Sequence, residues 1–221
     1  MPRRFDRFIA DLAAVELSDR AVNQYGESGV RRRNLRLYLE QLEAVGPRML
    51  LVGEAVSYRG GRLTGIAFVS ESIMLAGVDL PGGRVLGAGH GYAKADPATP
   101  VSTEASATMV WATIRHIEPL PLLWNAFPFH PFHAGNPHSN RMPTAGELAI
   151  GARFVSQLIR FFPIEHIVAI GNQASRTFDL LGVAHTKVRH PSQGGKQLFV
   201  KGMAEVSRRC ATSRPSARPR S

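Results

Sequence analysis

The chain has 221 residues, of which 44% are hydrophobic, so it can bury the core of one compact α/β domain but hardly of two. Its 27 lysines and arginines against 17 acidic residues give a formal net charge of +10, which favours a polyanionic partner such as nucleic acid. The lone cysteine, Cys210, excludes an internal disulfide and any metal site that needs several cysteines.

The expected location follows from what the sequence lacks. It has no apolar run of about 18 residues, and its start, MPRRFDRFIA, has neither the apolar stretch nor the cleavage site of a signal peptide. We therefore expect a cytoplasmic, nucleoid-associated protein with no membrane partner. Residues 207–221 carry five arginines and no acid, so we expect a disordered basic tail after a single domain over residues 1–206.

The elements predicted along the chain alternate between helices and strands. Apolar residues at helical spacing over residues 5–16 and 34–45 predict N-terminal helices within residues 1–47. Four short apolar segments predict strands, at residues 49–52, 120–125, 167–170 and 186–190. Further helices are predicted to begin near Ser102 or Thr103, at the capping box of Thr144 and Glu147, at Asn172 and at Lys196. This alternation predicts an α/β fold, a three-layer α/β/α sandwich with a central, roughly four-stranded parallel sheet.

Polar loops follow the four predicted strands, and in parallel sheets ligands bind beyond the carboxyl ends of the strands. Glu54, Phe68, Asn125 and His190 fall at that edge. Each also has a structural interpretation: a loop carboxylate, a core aromatic, an amide bonding the next turn and a histidine in a plain turn. Because an acid, an aromatic, an amide and a histidine meet at one edge of a basic protein, we favour a functional site.

Three histidines after the second predicted strand, His130, His133 and His138, raise the possibility of a metal cluster. Their spacing is rich in proline and glycine and fits no single face of a strand or helix, and no carboxylate accompanies them. We therefore predict no metal and no cofactor.

Several segments, in order, resemble the motifs of the uracil-DNA glycosylase superfamily. LLVGEAVSYRGGRLTGIAF resembles its first motif, in which a strand ends in Gly-Glu-Ala or a related triplet and Thr-Gly-x-x-Phe follows. LLWNAFPFHP with NPHSNRMPTAGEL is similar to the segment with the uracil-reading asparagine and a downstream Asn-Arg-x-Pro-Thr, and RHPSQGG is similar to the second motif, His-Pro-Ser. IVAIGNQAS fits the strand between them. The likeness covers residues 49–199, and its specificity comes from the ordered set.

The resemblance implies a monofunctional glycosylase that hydrolyses the N-glycosidic bond of uracil in DNA for base excision repair. Uracil-containing DNA would be the substrate, an abasic site and free uracil the products, and the chain would act as a monomer. Phe68 would stack on the flipped uracil, Asn125 would read its N3–H and O4, and His190 would stabilise the departing base. Glu54 is the candidate catalytic carboxylate, and Gly53 and Ala55 would lie against the base.

This sequence departs from the family patterns at several positions. Ala55 stands where one branch has a water-activating aspartate, and Val56 and Ser57 stand where another has Pro-Gly. Phe129 falls where that second branch has a cysteine ligand of an iron–sulfur cluster, and one cysteine cannot hold a cluster. The resemblance therefore points to a cluster-free, bacterial-type subgroup.

Other residues have open assignments. Tyr58 would either exclude the thymine methyl or be a plain rim aromatic. Four residues of the last loop would contact phosphates or fill the gap left by the flipped base: Ser192, Gln193, Gly194 and Lys196. Gly194 stands where the family often has a leucine that inserts into the base stack as a wedge. Because glycine has no side chain, the wedge would be Gln193 or a residue of another loop.

Three other functions remain open from the sequence. One is a glycosylase for other deaminated bases, such as hypoxanthine or xanthine, and another is a non-catalytic module that binds uracil or another lesion in DNA. The third, a nucleotide-binding α/β protein without a DNA partner, is disfavoured because YRGGRLTG matches neither the G-x-G-x-x-G nor the phosphate-loop spacing.

Overall fold

A computed structural model describes residues 4–212 of the chain. The helices and strands, in chain order, are α1 (Asp6–Ala13), β1 (Ala21–Val22), α2 (Gln24–Glu27), α3 (Gly29–Val45), β2 (Met49–Ala55), α4 (Gly61–Thr64), α5 (Glu71–Ala76), β3 (Val78–Leu80), β4 (Gly83–Val85), α6 (Ala105–Ile114), β5 (Leu122–Phe127), β6 (His130–Pro131), α7 (Ala145–Phe161), β7 (His166–Ile170), α8 (Asn172–Leu180), β8 (Thr186–Val188) and α9 (Lys196–Thr212). A short 3₁₀ turn covers Ala88–His90.

The centre of the fold is a four-stranded parallel sheet with the strand order β5-β2-β7-β8. Helix α7 packs against β5, α8 against β2 and β7, and α9 against β8. All six residues of β5 are buried, as expected for a strand covered on both faces. The predicted three-layer α/β/α sandwich with a four-stranded parallel sheet is confirmed.

The strand limits differ from those predicted at the ends that form the loops. Strand β2 continues to Ala55, so Gly53 and Glu54 belong to the strand itself. Strand β5 begins at Leu122, because Pro121 has no N–H to give to the ladder. Strand β8 ends at Val188, whose carbonyl oxygen accepts the amide hydrogen of Gly171.

The N-terminal region holds more structure than the two predicted helices. Helix α1 ends at Ala13 and α3 already begins at Gly29, where the Ser28 hydroxyl accepts from the amide of Arg31. Strand β1 pairs antiparallel with β6 and so fastens this region to the chain segment after β5. Two-residue strands carry too little periodicity to be predicted from sequence.

Helix α9 corrects the predicted start of the basic tail. The helix continues past Val206 to Thr212, so residues 207–212 are helical. Cys210 is half-buried against the core and extends the apolar face of Phe199, Met203 and Val206 by one turn. The rest of the expected tail lies outside the described residues. No helix within residues 4–212 has the length and apolar character needed to cross a membrane.

Candidate active site

A cleft of about 1010 Å³ opens at the carboxyl ends of the central strands. Glu54 and Ala55 from the end of β2 and Asn125 from β5 line it. The other predicted residues that line it come from loops, namely Phe68, His190, Ser192 and Gln193. The topological rule for parallel sheets and the sequence motifs therefore point to one concave surface.

Gly53 lies close to two residues that line the cleft, Phe68 and Asn125. A Cβ atom at this position would be 2.3 Å from Cζ of Phe68 and 2.7 Å from Oδ1 of Asn125. Gly53 is also the register partner of Asn125 across β2 and β5. The missing side chain is therefore what lets the phenyl ring and the amide approach each other.

Replacing Gly53 with alanine should displace both groups. We expect a loss of about 100-fold in catalytic efficiency, the scale of a 1 Å misplacement in an active site. Gly89→Ala is the control, because a Cβ there meets nothing within 4 Å. Steady-state kinetics and thermal unfolding of both variants separate misplacement from unfolding. A Gly53→Ala protein with wild-type kinetics would contradict the proposed role of this contact.

Phe68 is held in an unusual backbone conformation at the cleft. Its φ is 55°, in the left-handed region, which costs an ordinary residue about 1–3 kcal/mol. Its carbonyl oxygen accepts a hydrogen bond from Nε1 of Trp111 at 3.0 Å, and its side chain is buried. Strained backbone conformations of this kind cluster at active sites and ligand-binding clamps.

Asn125 is a buried amide that faces the cleft. The residue is only 3% exposed, and among residues 4–212 its side chain has no hydrogen-bond partner. The amide is not among the described polar atoms that are both fully buried and unpaired, so it is open to the cleft, where water or a ligand can bond it. The amide does not bond the next turn, as a structural asparagine would. The amide is therefore available to hydrogen-bond a polar ligand in the cleft.

His190 is fixed by the loop that carries it. Its Nδ1 accepts the amide hydrogen of Ser192 at 3.2 Å and lies 2.7 Å from the Ser192 hydroxyl. Since an amide can only donate, Nδ1 holds a lone pair and the neutral ring carries its proton on Nε2. Burial, and then the charge of Arg189, lower the pKa of His190. The cleft is thus lined by a neutral imidazole with an N–H donor.

The turn after His190 leaves little freedom to the histidine. Gly195 donates its amide hydrogen to the Ser192 carbonyl oxygen at 3.0 Å. A Cβ on Gly195 would lie 2.1 Å from the carbonyl oxygen of His190, so only glycine fits there. This close contact sets the direction from which His190 enters the cleft.

Two carboxyl groups line the cleft. Burial raises the pKa of Glu54. Burial also raises the pKa of Glu104, against the opposing effect of a hydrogen bond with Ser57. Sequence reasoning missed Glu104 because it lies in a long connection before α6, with no strand end or motif beside it.

Four predicted site residues are not among those that line the cleft: Gly53, which lies close to Phe68 and Asn125, and Tyr58, Gly194 and Lys196. Tyr58 is half-buried, with its ring centroid 6.1 Å from that of His138 and the Arg59 guanidinium 5.5 Å from the ring. Gly194 and Lys196 lie further along, in the last loop and at the start of α9. The cationic residues that do line the cleft are Arg141, Lys187 and Arg189, and none of them was among the predicted site residues.

Arg141 of the Asn-Arg-x-Pro-Thr segment holds the cleft wall together. Its guanidinium bonds both carboxylate oxygens of Glu147 at 2.8 and 2.7 Å and donates to the carbonyl oxygens of Phe132 and Arg20. Burial alone would raise the pKa of Glu147, but these hydrogen bonds hold it below its usual value. The ion pair therefore anchors the loop to the first turn of α7.

His130, His133 and His138 lie in the segment that follows β5. His130 is buried, and its ring nitrogens face the carbonyl oxygens of Val56 and Pro137 at 2.9 and 3.1 Å. Its ring thus ties two loops together. Within residues 4–212, no group of three or more histidine, cysteine or acidic side chains is placed to bind a metal ion.

A comparison with solved structures finds the same architecture elsewhere. The chain superposes on the crystal structure of wild-type Pedobacter heparinus SMUG2 with a TM-score of 0.65, over 94% of this chain and 98% of that chain. The chain has the fold of SMUG2. The sequence identity is 14%, and no family model and no curated protein matches this sequence. The SMUG2 likeness establishes the fold, and the chemistry of the cleft is argued from its own residues.

Proposed function

We propose that this chain is a monofunctional uracil-DNA glycosylase, which releases uracil from DNA and leaves an abasic site. The observation that carries the proposal is the Asn125 amide, which has no hydrogen-bond partner within residues 4–212, opens into the cleft and meets Phe68 over Gly53. The shared fold supports it, because SMUG2 is a glycosylase of the uracil-DNA glycosylase superfamily. The ordered sequence motifs support it independently.

The amide and the ring suit recognition of a flipped uracil. Asn125 accepts from uracil N3–H and donates to O4, a pattern that cytosine reverses. A mismatched base would leave buried polar groups unpaired, which is the basis of strong rejection. Phe68 stacks on the uracil and offsets part of the few kcal/mol needed to unstack it from DNA. Ala55 leaves room beside the base at the end of β2.

The neutral His190 suits stabilisation of the leaving group. The bond between C1′ of the sugar and N1 of uracil breaks, and its electron pair leaves with the base. Nε2–H of His190 donates to uracil O2, where negative charge develops, at no cost of reorganisation because the turn already fixes the ring. A water oxygen then bonds to C1′, and the water gives up a proton.

Glu54 suits stabilisation of the sugar cation and acceptance of the water proton, both of which require an ionised carboxylate. Its raised pKa means that protonation begins at a higher pH than for an exposed glutamate. We therefore expect activity to fall as the pH decreases through that raised pKa. Protonation of His190 would add a proton at Nδ1 and leave the Nε2–H donor in place.

Glu54→Gln should lower the rate by about 10²–10⁴-fold and remove the acid limb of the pH profile. Glu205→Gln, on the exposed face of α9, is the matched control and should leave both unchanged. The measurement is kcat/KM as a function of pH for all three proteins. An unchanged acid limb in Glu54→Gln would show that another group titrates.

Basic residues around the cleft suit the DNA backbone. Lys187 and Arg189 line the cleft, and Lys196 begins α9 nearby in sequence. The whole chain has a net charge of +10, and these cationic side chains favour contacts with phosphate. Ser192, Gln193 and Gly194 of the last loop would contact phosphate as well. Tyr58 would lie at the rim toward the uracil C5 position.

We propose that the protein acts on DNA as a monomer in the nucleoid-containing cytoplasm, with free uracil as product and no cofactor.

The test is a cleavage assay over oligonucleotides that contain uracil, thymine, hypoxanthine or xanthine, each as single and double strands. Abasic sites are converted to strand breaks with alkali and resolved on a gel. We expect breaks at uracil and none at thymine. Breaks at hypoxanthine or xanthine without any at uracil would assign the cleft to other deaminated bases. Binding to uracil-containing DNA without breaks would assign it to a lesion-binding module.

A further inference from the structure

Met142 is an exposed apolar side chain on the wall of the cleft. It is 63% exposed, and of the exposed large hydrophobic residues within 4–212 it is the one that lines the cleft. Its sulfur lies 3.2 Å from Nε2 of Gln173, another cleft residue. We expect an exposed, unbranched apolar side chain beside a cleft that binds DNA to contact an apolar surface of the bound partner.

The backbone under Met142 is fixed although its side chain is exposed. Nη1 of Arg141 donates to the Met142 carbonyl oxygen at 2.9 Å, and the same guanidinium is bonded to both oxygens of Glu147. Pro143 follows, and then the capping box of Thr144 and Glu147 at the start of α7. A fixed backbone that carries an exposed apolar side chain suits insertion into a base stack.

A nucleotide withdrawn from a duplex leaves a gap between the flat, apolar faces of its neighbours. Architectural DNA-binding proteins fill or open such steps with apolar side chains, methionine among them. Gln193, with a φ of 51° on the opposite loop, also lines the cleft. Its amide would have to shed water to enter the gap, whereas Met142 gives up only the weak contact of its sulfur with Nε2 of Gln173.

We propose that Met142 inserts into the base stack and fills the space from which the uracil is withdrawn. The proposal rests on the proposed function, since it concerns the same cleft. It assigns the wedge to the loop after β6, although the family resemblance places a wedge in the loop after β8. A wedge matters for duplex DNA, where a stacked and paired base must be replaced, and much less for a single strand.

The experiment compares Met142→Ala with Met142→Leu, Gln193→Ala and the control Leu180→Ala, whose leucine is 82% exposed at the end of α8. Uracil release is measured on a single strand and on duplexes with uracil opposite adenine or guanine. For Met142→Ala we expect a loss of about 10- to 100-fold in kcat/KM opposite adenine, a smaller loss opposite guanine and none on the single strand. Met142→Leu should restore most of the duplex activity, and Leu180→Ala should match the wild type.

Equal losses on single and double strands for Met142→Ala would overturn the proposal. So would a duplex-selective loss in Gln193→Ala with Met142→Ala unaffected, which would give the wedge to Gln193. A second measurement does not need catalysis: binding to a duplex that holds a tetrahydrofuran abasic analogue. Met142→Ala should weaken that binding about 10-fold relative to wild type and leave single-strand binding unchanged. If the wild-type protein binds this duplex but releases no uracil, only the proposed function is contradicted. If Met142→Ala binds the duplex as tightly as the wild type, the wedge is contradicted.

Discussion

His190→Ala is expected to lower kcat for uracil release by about 10²–10³-fold, the usual effect of removing one preorganised donor to a developing oxyanion. The KM should change little, because the hydrogen bond to O2 strengthens only as charge moves onto the base. The reason for so large an effect is that the ring is neutral, partly buried and fixed by Ser192 and Gly195 before the substrate arrives. Steady-state kinetics on a uracil-containing single strand measures it.

The matched control for this variant is His116→Ala. His116 is exposed and lines a separate cavity of about 260 Å³ at the opposite edge of the sheet, beside Met49 at the start of β2. Its removal should leave kcat and KM at wild-type values. A His190→Ala protein with near wild-type kcat would remove the leaving-group role from this histidine.

Asn125→Ala is expected to reduce kcat/KM for uracil by about 10²–10³-fold, from the loss of two hydrogen bonds to a buried base. Discrimination between uracil and cytosine should fall as well. The reason is that the Asn125 amide matches the hydrogen-bonding edge of uracil and mismatches that of cytosine. Kinetics on strands that contain either base test both parts. Unchanged kinetics would show that Asn125 does not read the base.

The stability of Asn125→Ala distinguishes a recognition group from a structural one. Because the amide makes no hydrogen bond within residues 4–212 and opens into the cleft, its removal should change the melting temperature little. Asn34→Ala is the contrast: its amide donates to the carbonyl oxygens of Thr64 and Ala93 and accepts from the Ala93 amide, so this variant should melt lower. A lower melting temperature for Asn125→Ala with activity retained would make that amide structural.

The four central strands were predictable because buried parallel strands are short, continuous apolar segments between helical patterns. The edge rule then located Glu54, Phe68, Asn125 and His190 near one another without their contacts being known. Strand β1 pairs with β6, which is distant in sequence, so no local pattern predicts it. The β3–β4 hairpin is local, but its three-residue strands are too short to show a clear alternation.

Other parts of the cleft depend on long-range contacts that leave no local pattern. Glu104 reaches the cleft from the start of α6, and a Cβ on Gly60 would collide with its carboxylate at 1.9 Å, a proximity between residues far apart in sequence. Arg141 was quoted within a motif, but its bonds to Glu147 and to two distant carbonyl groups appear only in the folded chain. The exposure of Met142 also depends on long-range contacts, because the hydrogen bonds of Arg141 fix the conformation of the loop that carries it.

The central claim is that this cleft turns over uracil in DNA. The most direct measurement is the amount of free uracil, determined by mass spectrometry, that one molecule of protein releases from an excess of uracil-containing single-stranded DNA. The doubly substituted Asn125→Ala, His190→Ala protein gives the background. We predict many uracil molecules per wild-type protein and a release far above that background. Tight binding of the DNA with no uracil released, or release equal to the background, would contradict the claim.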